Sequence, residues 1–138
     1  MCLNAVKTYP RPRREEAAVQ YPRSGKPIFV RWRVLRRDPE TNRLTSLWVH
    51  SQKWMIGRWQ RATCKKSTRL NLHFYSPDRT DHGFHVYLSE QTARQAVNFT
   101  PWRMVARVEV RGFIAGGRDN RTGLQSETWR ECRPIEVL

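Results

Sequence analysis

Gly83-Phe84-His85-Val86-Tyr87-Leu88-Ser89 opens the stretch that decides the fold, and the stretch runs on to Gly117. Phe84, Val86 and Leu88 alternate with His85 and Tyr87, which is the period of a strand with one buried face. Ser89 is a good N-cap, because its hydroxyl can accept from an amide of the first helical turn. Glu90 follows, where the helix dipole favours a negative charge. Ala93, Ala96 and Val97 recur at helical spacing and give a narrow stripe of small apolar residues. Pro101 stops the helix, which is placed at about residues 89–99. Met104, Ala106, Val108 and Val110 then alternate with Val105, Arg107, Glu109 and Arg111, a second half-buried strand whose exit Gly112, Gly116 and Gly117 punctuate. Strand–helix–strand predicts the α+β class: a small, mainly antiparallel, twisted β-sheet with one principal helix packed on one face.

Further strands flank this unit. In Ile28 to Leu35, Val30, Trp32 and Val34 point one way, and Arg31, Arg33 and Leu35 the other. Leu44 to Val49 reads as a short strand after the turn-forming Asp38-Pro39-Glu40-Thr41-Asn42. In Arg69 to Tyr75, Leu70, Leu72 and Phe74 face the core, and Asn71, His73 and Tyr75 face away. A polar loop then leads to Phe84. Leu124 to Leu138 reads as one or two strands, with Pro134 at a strand start or an edge, and its end packs into the sheet. Residues 1–26, with Tyr9-Pro10-Arg11-Pro12-Arg13-Arg14, read as a basic Pro/Arg-rich tail that buries too little to order itself. Residues 27–138 read as a single α+β domain.

Charge is the strongest global property. The 138 residues carry a net charge of +14. Residues 1–76 hold 17 Lys and Arg against 4 Asp and Glu, whereas residues 77–138 hold 9 against 8. An excess confined to one half points to a basic surface for an anionic partner. No apolar run is long enough to span a bilayer, and the first residues lack the apolar core of a secretory signal. Three widely spaced cysteines fit a reduced compartment better than a disulfide framework. The expectation is a cytoplasmic protein.

Two constellations could carry function. The first is basic: Arg31, Arg33, Arg36, Arg37, Arg58, Arg61, Lys65 and Lys66 as phosphate contacts, with Trp54 and Trp59 interleaved as stacking residues. The alternative for both tryptophans is a loop pinned to the core. The second is polar. If the segments 69–75 and 84–88 pair, Asn71, His73, Tyr75, His85 and Tyr87 share a face, with Arg107 and Glu109 beside them. Such a face could hold a nucleotide, or it could be an ordinary solvated sheet side. His82, His85, His73, Cys64 and Cys132 have donors suited to zinc, but no ligand motif joins them, and no metal site is assigned. Cys2 could be a nucleophile if the first Met is removed, without support from its neighbours. There is no phosphate-binding glycine loop and no Gly-x-Ser-x-Gly.

The run Gly83 to Ser89, the helix with Ala93 and Ala96, and Val105-Ala106-Arg107-Val108-Glu109-Val110 together resemble small uncharacterised phage and prophage accessory proteins. More faintly, they resemble the strand–helix–strand core of ADP-ribosyltransferase-like folds. In the RNA 2′-phosphotransferase branch a His-x-His-Leu-Ser type strand end is comparable to His85-Val86-Tyr87-Leu88-Ser89. The first resemblance implies a non-enzymatic basic protein that binds nucleic acid or a host nucleoprotein complex in the host cytoplasm. An inhibitor of bacterial defence of the anti-CRISPR kind belongs to this class, and no cofactor is expected of it. The second implies an enzyme acting on a nucleotide, with NAD as cofactor and His73, Tyr75, His85, Tyr87, Glu109 and Glu127 as candidate catalytic residues. A third reading is a structural protein that neutralises packaged nucleic acid. Oligomeric state is not legible.

Overall fold

The structure, a computed structural model, describes residues 3–5, 8–17, 25–46, 52–62, 79–80, 83–97, 102–119 and 122–138. These residues form β1 (Leu3–Ala5), β2 (Phe29–Arg37), β3 (Leu44–Thr45), β4 (Lys53–Trp54), β5 (Gln60–Arg61), β6 (Arg79–Thr80), β7 (Phe84–Tyr87), α1 (Glu90–Ala96), β8 (Arg103–Asp119) and β9 (Gln125–Val137). All strand pairings are antiparallel. One sheet dominates the described residues and carries α1, the one α-helix among them.

The β8–β9 hairpin is the spine. β2 runs beside β8 from Phe29↔Val110 to Arg36↔Arg103. β7 runs beside β9 from Phe84↔Trp129 to Tyr87↔Ser126. Trp32↔Tyr87 then joins β2 to β7. The circuit β2–β8–β9–β7–β2 is therefore closed, and a sheet closed on itself leaves fewer unpaired edges and wraps one core. That core holds Phe29, Leu35, Phe84, Val86, Val108, Val110, Trp129 and Cys132. Trp129 is its centre, with ring centroids 5.1 Å from Phe29 and 5.3 Å from Phe113. A second, smaller cluster lies on the outer face, where Val34, Tyr87 and Val105 receive Ala93 of α1. The expected cap forms: Ser89 Oγ accepts from Thr92 N at 3.1 Å. The strand–helix–strand unit is thus present as β7–α1–β8, with β9 between its two strands in the sheet.

Three expectations change, and the one or two strands expected in 124–138 prove to be one. The glycines at 112, 116 and 117 do not end β8, which continues to Asp119. On both hairpin strands the spacing of core residues steps from two to three, at Val110 to Phe113 and at Cys132 to Trp129. Gly112, with φ +74°, sits at that switch, where only glycine is unstrained. Gly116 is needed for another reason: a Cβ there would lie 2.2 Å from the Tyr9 ring. Pro134 lies inside β9, opposite Val108 and beside a register shift, where a missing N–H is tolerated. The leading residues, expected as a tail, contribute β1, which pairs with β8 at Leu3↔Asp119, and Leu3 is fully buried. Ala17 also joins the core. Finally, 125–137 is one continuous strand. The strand expected at 69–75 lies outside the described residues.

Candidate nucleic-acid interface

The arginines of β2 follow strand parity, but the face they share is enclosed as well as the apolar one. Arg31 and Arg33 share their side with Phe29 and Leu35, which are core, while Trp32 and Val34 meet α1. Arg31 Nε donates to Glu127 Oε1 at 2.7 Å, and its guanidinium lies over Phe29 and Trp129 at 5.5 and 5.7 Å. Glu127 is 1% exposed, and it also accepts from Tyr9 Oη at 2.8 Å and Trp129 Nε1 at 3.1 Å. Its lone pairs are therefore well used, as a buried carboxylate requires. Burial, then the Glu127 carboxylate, pushes the Tyr9 hydroxyl up to about 12. Arg33 Nη1 donates to the His85 carbonyl at 2.7 Å, and its guanidinium lies over Trp54 and Phe84 at 5.2 and 5.5 Å. Its Nε has no hydrogen-bond partner among the described residues. Burial lowers its pKa from the ordinary arginine value. Neither arginine is an outward phosphate contact in this structure. The sheet closes, so the side that an open sheet would present to solvent becomes the interior.

Trp54 is enclosed: it is 4% exposed, packs edge-on against Phe84, and donates Nε1 to Ser46 Oγ at 2.7 Å. Trp59 is half-buried, with the guanidiniums of Arg111 and Arg133 4.0 and 4.8 Å from its ring centroid. Those arginines belong to a charge ladder on the outer face of the hairpin. Arg107, Glu109 and Arg111 of β8 stand opposite Glu136, Arg133 and Glu131 of β9 in register. Each facing pair forms an ion pair, with Arg107 to Glu136 at 3.2 Å and Arg111 to Glu131 at 2.9 Å. The Arg111 hydrogen bond holds the Glu131 carboxyl below the usual carboxylate range. Opposite signs directly across an antiparallel pair favour this register. Glu109, a candidate catalytic carboxylate, is thereby committed to Arg133.

The polar face of β7 is real in parity and closed in packing. His85 and Tyr87 point away from Phe84 and Val86, as expected, but they are 9% and 1% exposed. His85 Nε2 lies 3.2 Å from Ser126 Oγ, and Tyr87 Oη donates to Asp119 Oδ2 at 2.8 Å. Burial lowers the His85 pKa to about 4, with nearby Asp119 opposing and Arg33 adding to the shift. Burial, followed by Asp119, raises the Tyr87 hydroxyl above its ordinary value. Glu127 lies on the other side, bound to Arg31. The transferase candidates His85, Tyr87 and Glu127 are therefore not gathered at one accessible point. Asn71, His73, Tyr75 and His82, like Cys64, Lys65 and Lys66, lie outside the described residues. Cys132 is buried in the core, which pushes its thiol up to about 12. Among the described residues no cluster of ligands could hold a metal ion.

Among the cations that remain outside, Arg36, Arg37, Arg43 and Lys53 lie at one end of the curled sheet, and Arg58 and Arg61 lie further along, toward the Glu131 position of β9. Arg43, Lys53, Arg58 and Arg61 are exposed, as are Arg11, Arg14, Arg118 and Arg130, and Arg36 and Arg37 are half-buried. None of Arg36, Arg37, Arg43, Lys53, Arg58 and Arg61 is within ion-pair distance of a carboxylate among the described residues. Register places Arg103, Arg36, Thr45 and Lys53 in one row across β8, β2, β3 and β4. At the same end a cleft of about 660 Å³ opens between the β2–β3 turn and the Met55-Ile56 loop. Arg43, Lys53 and this cleft had no separate signal in the sequence, because β3 and β4 are two residues each. The ladder did have a signal, in the alternating charges of 107–111 and 131–136, once the hairpin register is known.

No protein-family model, no curated protein and no solved structure matches the chain.

Proposed function

We propose that this protein is a non-enzymatic basic accessory protein that binds nucleic acid, free or within a host nucleoprotein complex. The observation that carries this is how its charge is divided. In the second half of the chain, Arg94, Arg107, Arg111 and Arg133 are each paired with the molecule's own carboxylates. In the first half, Arg13, Lys26 and Arg31 are paired as well, but Arg36, Arg37, Arg43, Lys53, Arg58 and Arg61 have no carboxylate partner among the described residues, and they lie on β2, β4, β5 and the turns beside them. A like-charged group of this kind repels itself unless a polyanion covers it. Phosphates are the fitting polyanion, since guanidinium groups bind their oxygens in a forked geometry. Lys65 and Lys66 extend the basic sequence beyond Arg61. An inhibitor of a bacterial defence complex, acting in the host cytoplasm, is the biological setting that this reading and the phage-type resemblance favour. The transferase reading loses ground, because His85, Tyr87, Glu109 and Glu127 among its candidate groups are engaged inside the fold.

The test is binding to labelled single- and double-stranded oligonucleotides, DNA and RNA. Reversing Arg36 and Lys53 to Glu together should abolish most binding. Arg118→Glu, an equal change per residue at the far end of β8, should leave it nearly intact. Equal losses in both variants, or no binding by the wild type, would remove the support for this surface.

A further inference from the structure

The cleft beside the basic row has a chemistry that phosphate binding does not explain. Its walls include Leu44, Met55 and Ile56 together with Arg37, Arg43 and Lys53, and no carboxylate side chain among the described residues lines it. Met55 is 60% exposed and Ile56 51%. Exposed side chains of this size are costly in water, by about 25 cal/mol for each Å² left uncovered. The two remaining exposed large hydrophobics, Trp102 and Leu138, are tied to the same end. Trp102 O accepts from Arg37 N at 2.7 Å, and Leu138 follows Val137, which lines the cleft. Of these four, Met55 and Ile56 line the concavity, and Trp102 and Leu138 adjoin residues that line it. Trp54 forms part of the wall but is turned into the core, so the cleft offers no open aromatic face for a base. Its accessible apolar groups are a thioether and aliphatic chains, which adapt to another protein's side chain. A concave site also suits an inserted side chain better than a flat bilayer surface.

We propose that this cleft is a docking site for an acidic segment of a partner protein, with one large apolar residue inserted between Leu44, Met55 and Ile56. Arg37, Arg43 and Lys53 meet the flanking carboxylates. This goes beyond nucleic-acid binding and does not depend on it, but Arg37, Arg43 and Lys53 belong to both readings. An acidic segment in the cleft therefore competes with nucleic acid for this end of the molecule.

The chain has three methionines, Met1, Met55 and Met104. Methyl-labelled methionine therefore gives few NMR signals, and one sits in the cleft. The probes are a short Asp/Glu peptide carrying one central Leu or Trp, the same peptide with Ser in that place, oligothymidine, and vesicles rich in anionic lipid. The apolar acidic peptide should move the Met55 signal saturably and leave Met104 in place. The Ser peptide should bind about tenfold more weakly, a difference of about 1.4 kcal/mol. Ile56→Ser and Arg43→Glu should each weaken the apolar peptide by a similar factor. Ile56→Ser should not alter oligonucleotide affinity. A Met55 signal that stays fixed, or apolar and Ser peptides that bind alike, would overturn the proposal. So would oligothymidine or vesicles moving Met55 as strongly as the peptide, since either would then be the occupant.

Discussion

Arg31 and Glu127 are 2.7 Å apart and both largely removed from water, with side-chain exposures of 15% and 1%. A buried pair of this kind gives modest net stability, but breaking it leaves an uncompensated charge. Glu127→Ala should therefore destabilise the protein by about 3–5 kcal/mol in urea unfolding. Arg31→Met paired with Glu127→Gln should recover much of that loss, because neither residue then carries charge. His85 gives a second test. Its folded pKa of about 4 lies below the free value of 6.5, so the unfolded chain takes up the proton first as pH falls. Stability is full above about pH 6.5, declines between about 6.5 and 4, and the loss is complete below that, amounting to about 3 kcal/mol. His85→Gln should flatten this part of the stability–pH curve. An unchanged slope would mean that His85 is not the buried neutral group described.

Elements were legible in the sequence where a period was long enough to read. β7, α1 and the first half of β8 follow directly from the alternation of Phe84, Val86, Val108 and Val110 and from the cap at Ser89. The burial of both faces of β2 was not legible. Val30, Trp32 and Val34 are apolar and Arg31 and Arg33 are charged, so hydropathy alone encloses only the first side. Both faces of β2 are in fact covered, one by α1 and one by the closed core, and Glu127 on a distant strand makes the arginines tolerable inside. The candidate site divided for the same reason: Arg36 and Arg37 stay at the open end of β2, and the two nearer the middle are enclosed. Tyr9 was not legible either, because its place depends on Gly116, more than a hundred residues away in the chain. Gly116→Ala should displace the Tyr9 ring, break its bond to Glu127, and open residues 8–17 to limited proteolysis while β7, β8 and β9 persist. Trp59→Ala should cost about 1–2 kcal/mol through the lost contacts with Arg111 and Arg133. It should leave oligonucleotide binding unchanged, as a stacking residue would not.

At the scale of the whole molecule, closing the sheet sorts the charge. Arg31 and Arg33 on the concave side become structural, Arg107, Arg111 and Arg133 on the hairpin are matched by facing carboxylates, and Arg36, Arg37, Arg43 and Lys53 lie at the end formed by β3, β4 and the β2 terminus. No helix among the described residues is long and apolar enough to cross a membrane. The most direct test of this division is the salt dependence of oligonucleotide affinity, because each phosphate contact releases counterions. The account predicts a straight decline of log affinity with log salt, with the slope reduced by about one in Arg36→Ala and again in Lys53→Ala. The folded Arg31→Met, Glu127→Gln protein should keep the wild-type slope. An affinity that does not change with salt, or a slope lost with Arg31 and kept without Arg36, would contradict it.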